Sequence, residues 1–162
     1  MNFEKLFTMQ RELDKKIQDQ HELDSEDLIE KKILALTVEA GELANETRCF
    51  KFWSLKPASE KPVILEEYVD GIHFILSIGL DLGISGIKDM KRGRESRTAV
   101  GQFLAVFEKL SAFRKNQSED HYLEVFGAYL YLGELLGLSS QEVEEAYVRK
   151  NEINHERQNT GY

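Results

Sequence analysis

Proline placement limits this chain more than any other feature. Only two prolines occur, Pro57 and Pro62, and both fall in one short segment. Proline removes a helix hydrogen bond and clashes with the preceding turn, so the long stretches on either side are free to be helical. Their apolar spacing uses that freedom almost throughout. Phe3, Leu6, Phe7, Met9, Leu13 and Ile17 form a stripe predicting a first helix over about 2–20. Asp24 or Ser25 is the expected cap of a second, about 26–50, with the acidic start Glu26-Asp27 suiting the helix dipole. Pro62 sits in the first turn of a third, very apolar helix ending near Leu82 or Gly83, which predicts a central position. A glycine-punctuated connection spans 84–95, and a fourth helix covers about 96–116. Ser118 caps a fifth that stops at Gly137, and Ser139 with Glu142 forms the capping box of a sixth running to about Gln158. No strand alternation, repeat or low-complexity tract is evident. The reading is a single all-α domain over 1–162, an antiparallel bundle of about six helices.

Charge and length exclude several classes. A chain of 162 residues with 41% hydrophobic side chains can bury one sizeable core. With 21 Lys+Arg against 29 Asp+Glu, its net charge of -8 argues against neutralising a nucleic-acid backbone. No apolar run is long enough to span a membrane. Residues 1–6 lack the basic start of a signal peptide, and the single Cys49 has no internal disulfide partner; both predict a cytoplasmic protein.

The chemistry concentrates in two carboxylate pairs. Glu39 and Glu42 lie three apart on the second helix, Glu67 and Asp70 three apart on the third. Such residues share a face, with Cβ atoms about 5–6 Å apart. Leu34, Leu36 and Leu43 flank the first pair; Val69, Ile72 and Phe74 flank the second. If the helices are antiparallel neighbours, four carboxylates meet. At an effective dielectric of about 20, two of them about 5 Å apart repel by roughly 3 kcal/mol. A semi-buried quartet therefore needs a cation or raised pKa values. Oxygen donors without a Cys or His cluster favour Mg²⁺ over zinc. A solvated acidic face is the alternative, and spacing alone does not decide between them.

The succession of E-x-x-E and E-x-x-D resembles the metal-binding signature of the MazG-like all-α nucleoside-triphosphate pyrophosphatases. The runs 35–46, Phe50-Lys51-Phe52-Trp53 and 67–74 are, more specifically, similar to the dimeric dUTP diphosphatases. Residues 147–162 resemble that family's last motif and 9–14 its first, although many relatives have Asn where this chain has Asp14. The interval between the third and last helices is also too short for the insertion that larger relatives fold over the nucleotide.

The resemblance implies hydrolysis of dUTP, and of dUDP in this family, to dUMP by attack of a metal-activated water. Two or more Mg²⁺ would be held by Glu39, Glu42, Glu67 and Asp70, with Glu42 orienting and deprotonating the water. It further implies that Lys150, Asn154 and Arg157, which form one polar stripe, clamp the phosphates. Gln10 and Asp14 share a face and are the candidates for the uracil edge, with Lys51 and Trp53 in the aromatic run that stacks a base. Phe74 would pack on the deoxyribose, His73 is a minor candidate beside it, and Asp70 divides between metal and 3′-hydroxyl. The tail from Glu156, without apolar anchors, is expected to order on nucleotide binding, with Tyr162 covering the substrate. A homodimer is expected from the apolar surface around Phe50–Trp53 as well as from the family. The rival readings are a relative acting on another nucleotide such as dCTP, and a non-catalytic helical module that binds Ca²⁺ or a basic partner.

Overall fold

The computed structural model describes residues 1–23, 27–87 and 90–161, and most of its helices start behind a short polar side chain that takes an orphan amide. For α1 (Phe3–His21) that side chain is Asn2, whose Oδ1 accepts from the Lys5 N–H at 3.1 Å. Thr98 caps α4 (Ala99–Lys115) and Ser118 caps α5 (Glu119–Leu135). α6 (Ser140–Asn159) carries the expected capping box, with the Ser139 N–H donating to Glu142 Oε2 at 2.9 Å. α3 (Lys61–Asp81) has Pro62 in its first turn, where the missing N–H costs nothing. No strand occurs among the described residues.

Three expectations shift. α2 is shorter than 26–50, running Ile29–Thr47. Asp24, Ser25 and Glu26 lie outside the described residues, and it is Asp27 Oδ1 that accepts from the Ile29 N–H at 3.1 Å. At the other end Arg48 turns left-handed at φ 56°, held by its guanidinium on Ser54 Oγ (2.6 Å) and the Lys56 carbonyl (3.0 Å). α4 begins at Ala99 rather than near 96, because Ser96 is engaged instead with Gln102 Oε1 at 3.1 Å. The C-terminal tail is already helical through Asn159. Lys16 of α1 anchors it, donating to the His155 carbonyl at 2.9 Å and to Asn159 Oδ1 at 2.6 Å.

α3 is the central element, packed against α1, α2, α5 and α6. From Tyr68 to Gly79 only Asp70 and Phe74 escape full burial. These two are four apart, so they mark the one face of α3 that looks into open space. The opposite face is locked to α5 by a reciprocal pair. Tyr68 donates to the Tyr129 carbonyl at 3.2 Å, Tyr129 donates to the Tyr68 carbonyl at 3.1 Å, and their rings stack at 4.8 Å. Glycine is required on both helices for this approach. A Cβ on Gly71 would lie 2.1 Å from the Tyr129 hydroxyl, and one on Gly133 would lie 2.6 Å from that of Tyr68. This lock sets the rotation of α3, and with it the direction in which Glu67 and Asp70 point.

Candidate active site

Three of the four predicted carboxylates converge. Oxygens of Glu39 on α2 and of Glu67 and Asp70 on α3 all lie within 4.8 Å of one another. Glu42, one turn beyond Glu39, is exposed and stands outside this triad, although its charge reaches both Glu39 and Glu67. Leu36 and Leu43 are buried beneath this face as expected, whereas Leu34 is solvent-exposed. Burial, followed by the charges of Asp70, Glu42 and Glu67, pushes the Glu39 carboxyl up to about 7. Glu67 and Asp70 are raised as well, burial again being the main cause. Glu39, Glu67 and Asp70 are thus partly buried, and Glu42 is exposed as a residue of a solvated acidic face would be.

A cation already faces the triad. Lys150 Nζ lies 2.8 Å from Asp70 Oδ2 and 2.8 Å from Glu66 Oε1. The carboxylates hold its ammonium above the usual lysine range despite burial. Helical geometry explains the placement: Lys150, Asn154 and Arg157 form one stripe of α6, and α6 packs on α3.

Beside the triad is a cavity of about 220 Å³ into which four helices contribute. Gln10 and Asp14 come from α1, Glu39 from α2, Asp70, His73 and Phe74 from α3, and Lys150, Asn154 and Arg157 from α6. Its polar wall is a hydrogen-bonded chain. Gln10 Nε2 donates to Asp14 Oδ1 at 2.7 Å, and Ser77 Oγ donates to Asp14 Oδ2 at 2.6 Å. Gln10 Oε1 accepts from the Tyr147 hydroxyl at 2.7 Å and lies 2.8 Å from His73 Nδ1. The His73 ring stacks on Tyr147 at 4.1 Å, and its burial drives the imidazole pKa down to about 3, so it is neutral. Asp14, mostly buried, is raised.

Two predicted contacts stand apart from this cavity. Lys51 donates to Asn45 Oδ1 and lies over the Phe50 ring, while Trp53 is 65% exposed and packs edge-on against Phe50 and Phe52. Tyr162 lies outside the described residues. Sequence reasoning did not single out Ser77, Tyr147 or Glu66 as part of the site. Ser77 is four residues past His73 and Tyr147 three before Lys150, so helical spacing from known candidates was the available signal. In the connection before α4, Arg92 and Arg94 pair with Glu134 of α5.

A family model described as dUTPase matches residues 2–162. No curated protein matches the chain.

Proposed function

This chain belongs to the all-α dUTPase family, and we propose that it carries out the family's reaction in the cavity beside Glu39, Glu67 and Asp70. The activity is that of a dUTP diphosphatase, dUTP + H₂O → dUMP + pyrophosphate. Convergent carboxylates with raised pKa values, bordering a cavity built from the predicted substrate contacts, are the observation that carries the assignment to this site.

The donor set fits Mg²⁺: three oxygen donors converge with a fourth, Glu42, beside them, and among the described residues no Cys or His joins the cluster. We assign two or more ions to Glu39, Glu42, Glu67 and Asp70. When bound, the metal neutralises phosphate charge and lowers the pKa of a coordinated water. The chain's own residues supply the rest. Glu42, exposed at the rim, would orient the attacking water and accept its proton. Lys150 and Arg157 take the phosphate oxygens, with Asn154 between them on the same stripe. Gln10 and Asp14 meet the uracil edge, and the half-buried Phe74 lies against the deoxyribose, leaving no room for a 2′-hydroxyl. Asp70 divides between metal and the 3′-hydroxyl, and Tyr162 closes over the nucleotide. Lys51 and Trp53 do not line this cavity, so a part for them at the base requires that they reach it from a second copy of the chain. A 220 Å³ cavity is below the roughly 300–1,000 Å³ usual for small-molecule sites, so it suits the nucleoside while the phosphates reach toward the carboxylates.

All six helices contribute to one core, which supports reading 1–162 as a single domain. Leu34, Val38, Phe52, Trp53 and Leu55 are exposed, an apolar surface that a second copy would cover, and we assign a homodimer. Light scattering returning 18.7 kDa at micromolar concentration would refute this. The net charge of -8 suits a free nucleotide better than a nucleic acid, the exposed Cys49 suits a reducing cytoplasm, and no helix among the described residues is long and apolar enough to cross a membrane. Turnover of dUTP, dUDP, dCTP, dTTP and UTP with Mg²⁺, with products identified, tests the assignment. Preferential release of dUMP is expected; faster turnover of dCTP would move the base assignment, and Mg²⁺ binding without any turnover would favour a binding module.

A further inference from the structure

The polar wall of the cavity has a direction, and Asp14 sets it. A carboxylate only accepts, so the Gln10 amide must turn its Nε2 toward Asp14 Oδ1, 2.7 Å away. The Ser77 hydroxyl, donating to Asp14 Oδ2 at 2.6 Å, holds that carboxylate in place. Gln10 Oε1 then faces His73 Nδ1 at 2.8 Å. An amide oxygen only accepts, so the proton of the neutral imidazole is on Nδ1. The remaining nitrogen, Nε2, is a bare acceptor. His73 is 6% exposed and lines the cavity, yet Nε2 has no hydrogen-bond partner among the described residues. A buried acceptor without a donor costs about 1–3 kcal/mol, which a ligand donor would recover. The Tyr147 hydroxyl does not decide the direction, since it could donate to the amide oxygen or accept from the amide N–H in its place.

We propose that His73 presents Nε2 to the nucleotide as a hydrogen-bond acceptor, kept in that tautomer by Asp14 acting through Gln10, and that it takes an N–H or O–H of the nucleoside. The inference rests on the cavity being the nucleoside site. Asp14 and Gln10 are then positioning residues as well as lining ones, and the Asp14 carboxylate, accepting from both Gln10 and Ser77, is what fixes the polarity. Two donors of a deoxyuridine nucleotide have the required chemistry, the uracil N3–H and the 3′-hydroxyl.

Long-range ¹H–¹⁵N spectra of the imidazole read this directly, in metal-free protein with dUMP as the probe. The His73 signals are identified by their loss in His73→Asn. In the free wild type we expect a protonated Nδ1 and a bare Nε2, with the Nε2 resonance moving upfield as dUMP saturates. N3-methyl-dUMP and 2′,3′-dideoxyuridine 5′-monophosphate separate the sources: the shift disappears with whichever analogue lacks the donor. Asp14→Asn, which lets the amide turn over, should populate the Nε2–H tautomer, whereas Tyr147→Phe should retain Nδ1–H. Thermal melts confirm that both variants are folded, and the wild-type spectrum stands independently of them. A protonated Nε2 in the free wild type overturns the proposal. So does dUMP binding with the Nε2 resonance unmoved, or moved equally by both analogues. Failure of dUMP to bind at all, by calorimetry, removes the nucleoside site and the inference with it.

Discussion

Lys150→Met isolates what the ammonium does at the carboxylate triad. At an effective dielectric of about 20, unit charges separated by the 2.8 Å between Nζ and Asp70 Oδ2 attract by about 6 kcal/mol, an upper limit. Desolvation offsets most of this. Removing one partner of a fully buried pair costs about 3–5 kcal/mol and of an exposed pair under about 1. The Lys150 and Asp70 side chains are 11% and 20% exposed, between those cases, so the metal-free variant should lose about 2 kcal/mol. For a chain of this size that is a fall in Tm of about 4–8 °C. The methionine leaves Glu39, Glu67 and Asp70 without their nearest cation, so Mg²⁺ should stabilise the variant more than the wild type. Thermal denaturation followed by circular dichroism, with chelator and then with millimolar Mg²⁺, measures both effects. An unchanged metal-free Tm would show that the ion pair contributes nothing net. Equal Mg²⁺ shifts in the two proteins would show that Lys150 and the metal do not share the triad.

Glu42→Gln should keep the helical circular dichroism spectrum and lower kcat for dUTP by about 10²–10⁴-fold, the usual cost of a lost general base; near wild-type kcat would remove Glu42 from the mechanism. Gly133→Ala places a methyl group 2.6 Å from the Tyr68 ring and hydroxyl, and forcing that contact apart should destabilise by about 1–3 kcal/mol in urea denaturation, whereas Gly41→Ala, with open space at its Cβ, should not destabilise. The folded-state pKa of His73, about 3, lies below its ordinary 6.5, so the unfolded chain binds the extra proton first as pH falls. Its contribution to stability is complete above pH 6.5 and declines toward pH 3, with a slope approaching about 1.4 kcal/mol per unit between the two values. Acid denaturation profiles of wild type and His73→Asn should therefore converge as pH falls below 6.5, and parallel profiles would contradict the burial argument.

Much of the fold was legible because its signals are local. Ser118 and Ser139 cap helices within a few residues of themselves, and Pro62 in a first turn is likewise a nearest-neighbour effect. The i, i+3 spacings of Glu39 with Glu42 and of Glu67 with Asp70 are equally local, since 3.6 residues per turn places each pair on one face. Where a partner lay farther away, local reading failed. The left-handed Arg48 that ends α2 is held by groups six and eight residues on, and the tail that looked unanchored is fastened by Lys16 at the other end of the chain.

The sequence by itself determined the helical class, most helix limits, the family and the acidic chemistry, because capping, periodicity and motif spacing act along the chain. Tertiary structure alone decided that Glu39, Glu67 and Asp70 meet while Glu42 stays at the rim, that Lys150 is the cation facing them, and that Ser77 and Tyr147 enter the cavity wall. Those outcomes depend on how far each helix is rotated about its axis. That rotation follows from packing between helices, above all the Tyr68–Tyr129 exchange that Gly71 and Gly133 make room for, and residues so distant in the chain carry no mutual signal in their spacing.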